Sequence, residues 1–153
     1  MLYTIIKNIF ERIARLLFLS LSLVYMEVKT DTKEKFHVIR VETADLPANL
    51  AAELKTHLEE PLKDTIKNVV LNLSNVKTIA EETAEVLVRT QQKFYEQSAS
   101  FVVCEMNEDV EKFLDEKELL EMMNVTPTES EAYDIVQMEE VERELLGGDD
   151  FDE

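Results

Sequence analysis

Few side chains in this sequence could do chemistry: two histidines, His37 and His57, one cysteine, Cys104, and three pairs of adjacent glutamates, Glu59-Glu60, Glu81-Glu82 and Glu139-Glu140. Hydroxyls flank the middle pair, at Thr78 and Thr83. A nucleophilic triad needs a histidine held beside a serine or cysteine, and no local motif around either histidine would hold it there. No second histidine stands at metal-ligand spacing from His37. The only glycine pair, Gly147-Gly148, lies near the C-terminal end, so no glycine loop is available to cradle a phosphate. Adjacent glutamates on a helix point about 100° apart, which suits a solvated face better than a shared proton. Cys104 ends the apolar run Phe101-Val102-Val103 and reads as a small buried hydrophobe. The chain therefore reads as a non-enzyme without metal or cofactor.

Glu81-Glu82 stands apart because of what must position it. Val69, Val70, Leu71 and Leu73, interrupted only by Asn72, form an apolar run of strand length and β-branched character. A helix over Glu81–Gln97 follows, with Ala84, Leu87 and Phe94 on one face and Gln91 as the exception. Val76-Lys77-Thr78-Ile79 joins the two without a glycine. Such a junction exposes the unpaired N–H groups of a helix start, which favour an acidic side chain or another anion. Thr78 and Glu81 have the spacing of a capping box.

The 153 residues suffice for one domain with a core. A hydrophobic content of 45% with 32% charged residues is globular, and two glycines with three prolines indicate a helix-rich chain. The net charge of −17 excludes nucleic acid and disfavours an anionic membrane surface, because phosphate recognition needs a basic patch. A basic protein partner fits better. A single cysteine excludes an internal disulfide and suits a reducing, cytoplasmic setting. Residues 1–25 differ from the rest. They carry Lys7, Arg12 and Arg15 against Glu11, which leaves 13 basic and 32 acidic residues, or −19, in the remainder. An extension ahead of a start at Met26, an amphipathic membrane-touching helix, and a signal or anchor compete for this segment. A small-x-small cleavage site is missing, and the charges interrupt a membrane span.

In chain order, Met26–Asp31 and Phe36–Glu42 read as strands around a Thr32–Lys35 turn, with His37, Ile39 and Val41 on one face and Phe36, Val38 and Arg40 on the other. Asp45 is the expected cap of a helix running to about Leu62, with Pro47 in its first turn and Leu50, Leu54, His57, Leu58 and Leu62 as its stripe. Ser100–Cys104 repeats the buried-strand pattern, and Asn107 caps a helix to Asp115. Val125–Thr128 suits a last short strand. Thr128–Glu131 is a capping-box sequence that starts a helix to about Leu146, with Gly147-Gly148 as its stop and Asp149–Glu153 as a disordered acidic tail. Strands followed by strand–helix alternation give an α/β domain.

The strand Val70-Leu71-Asn72-Leu73, with Val38–Val41, Phe101–Cys104 and Val110…Phe113-Leu114-Asp115, resembles the STAS domain of bacterial anti-sigma factor antagonists over residues 27–145. The resemblance implies a mixed β-sheet of four to five strands packed with four to five helices. It implies a protein that works by docking on an anti-sigma-type serine kinase or another regulatory protein. In that family a serine at the helix start accepts phosphate from the kinase. The signature pentapeptide falls here on Ala80-Glu81-Glu82-Thr83-Ala84, with the acceptor on Glu82, its preceding serine on Glu81 and the acidic residue on Ala80. The family's Leu-Asp pair becomes Leu46-Pro47, with Asp45 displaced. Thr78, Ala80, Glu81, Glu82, Thr83 and Asp45 are thus the expected docking residues, with Thr83 as an alternative acceptor. Two readings of Glu81-Glu82 stand: they stabilise the helix start by about 0.3–1 kcal/mol each, or Glu82 imitates a permanent, weaker phosphoserine. Two other functions fit the same scaffold: a STAS subunit of a membrane lipid transporter docked on its ATPase, and a small-molecule or nucleotide sensor.

Overall fold

The structure is a computed structural model that describes residues 1–24 and 26–149, with side chains at 1–17 and 26–147. Its centre is a five-stranded mixed sheet. Strand β1 (Val28–Thr32) runs antiparallel to β2 (Phe36–Val41), and β2, β4 (Asn68–Asn72), β6 (Phe101–Cys104) and β7 (Val125–Thr126) follow in parallel, in the order β1-β2-β4-β6-β7. Val38, Val70 and Val102 stand in register across the three central strands. Strand alternation then sends Ile39, Leu71 and Val103 to one face and the three valines to the other. The first face carries the main core. Helices α2 (Ala51–Glu59) and α3 (Glu81–Glu96) bury Leu54, Leu58, Leu87 and Phe94 in it, and α4 (Glu108–Glu116) adds Val110 and Leu114. Phe94 meets Phe101 at 5.3 Å between ring centroids. Among the described residues the second face is covered by α5 (Glu129–Asp149), through Ala132 and Val136. The fold is the α/β arrangement expected, and the faces of β2 fall as its alternation predicts.

Several local expectations are corrected. Asp45 caps no helix. Asp45-Leu46 is a short strand, β3, paired in parallel with β5 (Thr78–Ile79). Pro47 disfavours helical backbone at the residue before it, so the chain stays extended until a single 3₁₀ turn at Ala48–Leu50. The helix then ends at Glu59, and a second 3₁₀ turn, Glu60–Lys63, carries Leu62 into the core. At the far end α5 does not stop at Gly147-Gly148 but runs through them to Asp149. Of the acidic tail expected at 149–153, Asp149 is the last residue of α5, and residues 150–153 lie outside the described residues. Two helices close without glycine: Ser98 and Glu118 take left-handed backbone, φ 56° and 60°, after α3 and α4. Ala99 N–H then reaches the Phe94 carbonyl and Leu119 N–H that of Leu114.

Helix α1 spans Leu2–Val24, and all its described side chains, at 2–17, are exposed. Among the described residues no helix is long and apolar enough to cross a membrane.

Candidate functional site

The helix start at Glu81 is built by the β3–β5 pair. Ala44 carbonyl accepts from the N–H groups of Lys77 and Thr78, and Leu46 carbonyl accepts from Ala80 N–H at 2.9 Å. Ala80 is the extended residue before the helix, and no side chain caps it. The Thr78–Glu81 capping box does not form, because the Thr78 hydroxyl donates to Asp45 Oδ1 at 2.7 Å instead. The β3–β5 register, which sets Asp45 opposite Thr78, decides this.

The structure brings the six expected residues to one edge but at different depths. Asp45, Thr78, Glu81 and Glu82 are exposed, and Ala80 is half-buried. Glu81 Oε2 lies 3.6 Å from Lys117 Nζ just beyond α4, whereas Glu82 has no ion-pair partner among the described residues. Thr83 is fully buried, and its hydroxyl donates to the Pro47 carbonyl at 2.8 Å. That geometry does not suit an alternative phosphoacceptor. Beside the edge, Lys77, Ile79, Asp109 and Phe113 line a depression of about 220 Å³.

The other reactive side chains are structural. Cys104 is buried, and burial, with Glu129 nearby, pushes its thiol up to about 12, so it stays protonated. His37 lies in β2, with Nε2 donating to the Ile66 carbonyl and Nδ1 accepting from the Thr32 hydroxyl, both at 2.9 Å. His57 sits half-buried at the edge of α2, 3.7 Å from Glu53. Among the described residues no cluster of metal-ligating side chains occurs.

Sequence reading missed the polar clamps that hold α5. Asn68, Val70 and Asn72 alternate along β4, so both asparagines face α5. Asn72 Nδ2 donates to Glu129, which also accepts from the Tyr133 hydroxyl and lies 3.5 Å from Arg40. Asn68 donates to Glu140 at 2.9 Å and accepts from Arg143. Glu139-Glu140 is therefore no plain solvated pair: Glu140 is clamped, and Glu139 buries Oε1, where the Ser100 hydroxyl favours its charge but does not reach good hydrogen-bond geometry. The available signal was a polar residue at each end of an otherwise apolar strand.

These carboxylates set opposing pH dependences. Burial pushes Glu129 up, but Tyr133, Asn72 and Arg40 together outweigh it and hold the group below the ordinary 4.5. The Asn68 amide, against burial and with help from Arg143, does the same for Glu140. Both contribute stability that is present above the unfolded value and lost as pH falls through the folded one. Burial raises Glu139 above 4.5, so its ionisation costs stability at neutral pH and protonation removes that cost. The melting temperature should therefore rise as pH drops through the raised folded Glu139 value towards 4.5, then fall below 4.5. In Glu139→Gln the rise should vanish and the melting temperature at pH 7 should be higher. Parallel pH-dependent melts check this, and an unchanged Glu139→Gln profile would contradict it.

The STAS domain profile matches residues 27–132. Among solved structures, an anti-sigma factor antagonist from Mycobacterium paratuberculosis is 17% identical with a TM-score of 0.65, covering 74% of this chain and 95% of its own. A serine-to-glutamate variant of Moorella thermoacetica RsbS is 19% identical with a TM-score of 0.61, over 72% of this chain and 95% of its own. The murine anion transporter Slc26a9 is 10% identical with a TM-score of 0.63, over 81% of this chain but only 24% of the transporter. None of the curated proteins compared matches by sequence. With its antiparallel first strand pair, its parallel β2-β4-β6 centre and the profile match across that sheet, the chain belongs to the STAS domain family.

Proposed function

We propose that this chain regulates a partner protein by docking through the edge formed by Asp45, Thr78, Ala80, Glu81 and Glu82, and that it does so in the cytoplasm without catalysis. One observation carries the reading: β3, β5 and the start of α3 bring these residues together on an exposed, acidic edge whose helix end no side chain closes. The acidity suits a basic docking surface on an anti-sigma-type serine kinase or a related regulatory protein. Glutamates stand where the family carries its serines, and neither can accept a phosphoryl group. Lys117 lies 3.6 Å from Glu81, so Glu82 is the less screened of the two glutamates. The docking domain is residues 26–146, with 1–25 as an extension and, from Gly147 on, the end of α5 followed by an acidic tail.

Titration of wild type, Glu82→Ser and Glu82→Gln against such a kinase tests this. Both changes should weaken binding by about two- to fivefold, the weight of one exposed charge, mainly through a slower on-rate with a shallower salt dependence. Their effect on stability should be at most about 1 kcal/mol. Unchanged affinity would assign Glu82 to helix support alone. A hydrogen-exchange footprint of the bound kinase that spares residues 76–90 would sink the docking edge itself. The fold shared with Slc26a9 supports a second reading, a STAS subunit docked on a membrane transporter's ATPase. Tight binding to that ATPase, and none to the kinase, would select it.

A further inference from the structure

Helix α1 carries a sorted surface. Successive helical residues turn by about 100°, which collects Ile5, Ile6, Ile9, Phe10, Ile13 and Leu16 on one arc. Every one of these side chains is exposed, Phe10 at 71% and Leu16 at 67%. Thr4, Asn8, Glu11 and Arg15 occupy the middle of the opposite arc, and Lys7 and Arg12 fall on its two borders. The single acid thus points away from the apolar arc, while a cation flanks that arc on each side.

We infer that α1 lies in the plane of an anionic lipid surface, with its apolar arc among the acyl chains and Lys7 and Arg12 reaching up to the headgroups. Two observations favour lipid over a protein partner. Long basic side chains at the borders of an apolar arc can keep their stems in hydrocarbon and their charges among phosphates. The arc from Leu2 to Leu17 is about 22 Å long, whereas the exposed stripe on α5, Met138, Val141, Leu145 and Leu146, spans about 12 Å and would leave nearly half of the arc in water. The charge of −19 outside residues 1–25 is repelled by anionic headgroups. Contact is thereby confined to α1, and the acidic edge at Glu82 stays turned to solvent. This inference does not depend on what docks at that edge.

The chain contains no tryptophan, so Phe10→Trp gives the full-length protein a single reporter. Vesicles of mixed phosphatidylglycerol and phosphatidylcholine should shift its emission to the blue and carry the protein up in flotation. Phosphatidylcholine alone should do so much more weakly. Lys7→Gln and Arg12→Gln should each weaken binding to the anionic vesicles by about fivefold, the weight of one juxtamembrane cation. Ile9→Asp should abolish flotation while leaving the urea midpoint of the domain unchanged. Absence of flotation, or flotation indifferent to Ile9→Asp, would overturn the inference. So would a reporter already blue-shifted without lipid in a chain that sediments as a dimer, because a second copy would then cover the arc.

Discussion

Asn68→Leu is expected to destabilise the domain by about 3 kcal/mol, because a side chain of the same branched shape takes away four hydrogen bonds, two to α5 and two to the backbone of Lys35 and Ser100. Asn68 Nδ2 donates to the Lys35 carbonyl at 3.0 Å and to Glu140 at 2.9 Å; its Oδ1 accepts from Ser100 N–H at 2.8 Å and from Arg143 at 3.2 Å. Leucine would leave the buried Ser100 N–H without an acceptor and strand a carboxylate whose ionisation Asn68 favours. Apolar gain at the site offsets little of this, since the neighbouring groups are polar. Urea unfolding measures the loss directly, and hydrogen exchange should show α5 opening before the β2-β4-β6 core. Asn68→Asp is the informative companion. It keeps the acceptor for Ser100 but sets a second carboxylate against Glu140, so its deficit should shrink as pH falls. A midpoint for Asn68→Leu within about 0.5 kcal/mol of wild type would show that α5 is held by its apolar side alone.

The strand pattern, the α3 stripe and the two sheet faces were legible because each rests on a periodicity of two or 3.6 that a row of apolar residues displays directly. Val70 and Leu71 sit on opposite faces for that reason, and Leu87 and Phe94 on the same one. The helix start at Glu81 was legible as well, through the strand ahead of it. What sequence hid were pairings between distant segments. Asp45 and Thr78 each looked like a cap for its own helix, and each is taken by the other, 33 residues away. A β3–β5 pair of two residues per strand carries too little periodicity to be seen. The asparagine clamps were hidden for a related reason: Asn72 reaches 57 residues ahead to Glu129 and Asn68 reaches 72 ahead to Glu140. Gly147 misled in the other direction. Glycine after a helical stripe commonly marks a stop, yet helix interiors tolerate it at a cost of about 1 kcal/mol, and α5 runs on through it.

The largest effect at the start of α3 is expected from Thr83→Asp, which should cost about 4 kcal/mol or more, or open the β3–α3 junction outright. Thr83 is fully buried, and its hydroxyl faces the Pro47 carbonyl. A carboxylate there would meet an acceptor with another acceptor, in a place with no water to solvate its charge. Thr83→Val separates the contributions. It keeps the shape and leaves only the Pro47 carbonyl unpaired, so it should cost about 1 kcal/mol. Melting curves give both values, and Thr83→Asp melting like wild type would mean that this side chain reaches solvent. The same depth decides what a kinase can do. A phosphoryl group carries nearly two charges, more than the aspartate that the site already rejects. The folded chain should therefore leave Thr83 unlabelled after incubation with an anti-sigma-type serine kinase, as peptide mass spectrometry would show. Labelling should appear only where the junction has been loosened, for example in Pro47→Gly. Within the first turn of α3 charge is sorted by depth: its exposed positions hold glutamates, which cannot accept a phosphoryl group, and its one hydroxyl is spent on the Pro47 carbonyl just beyond β3.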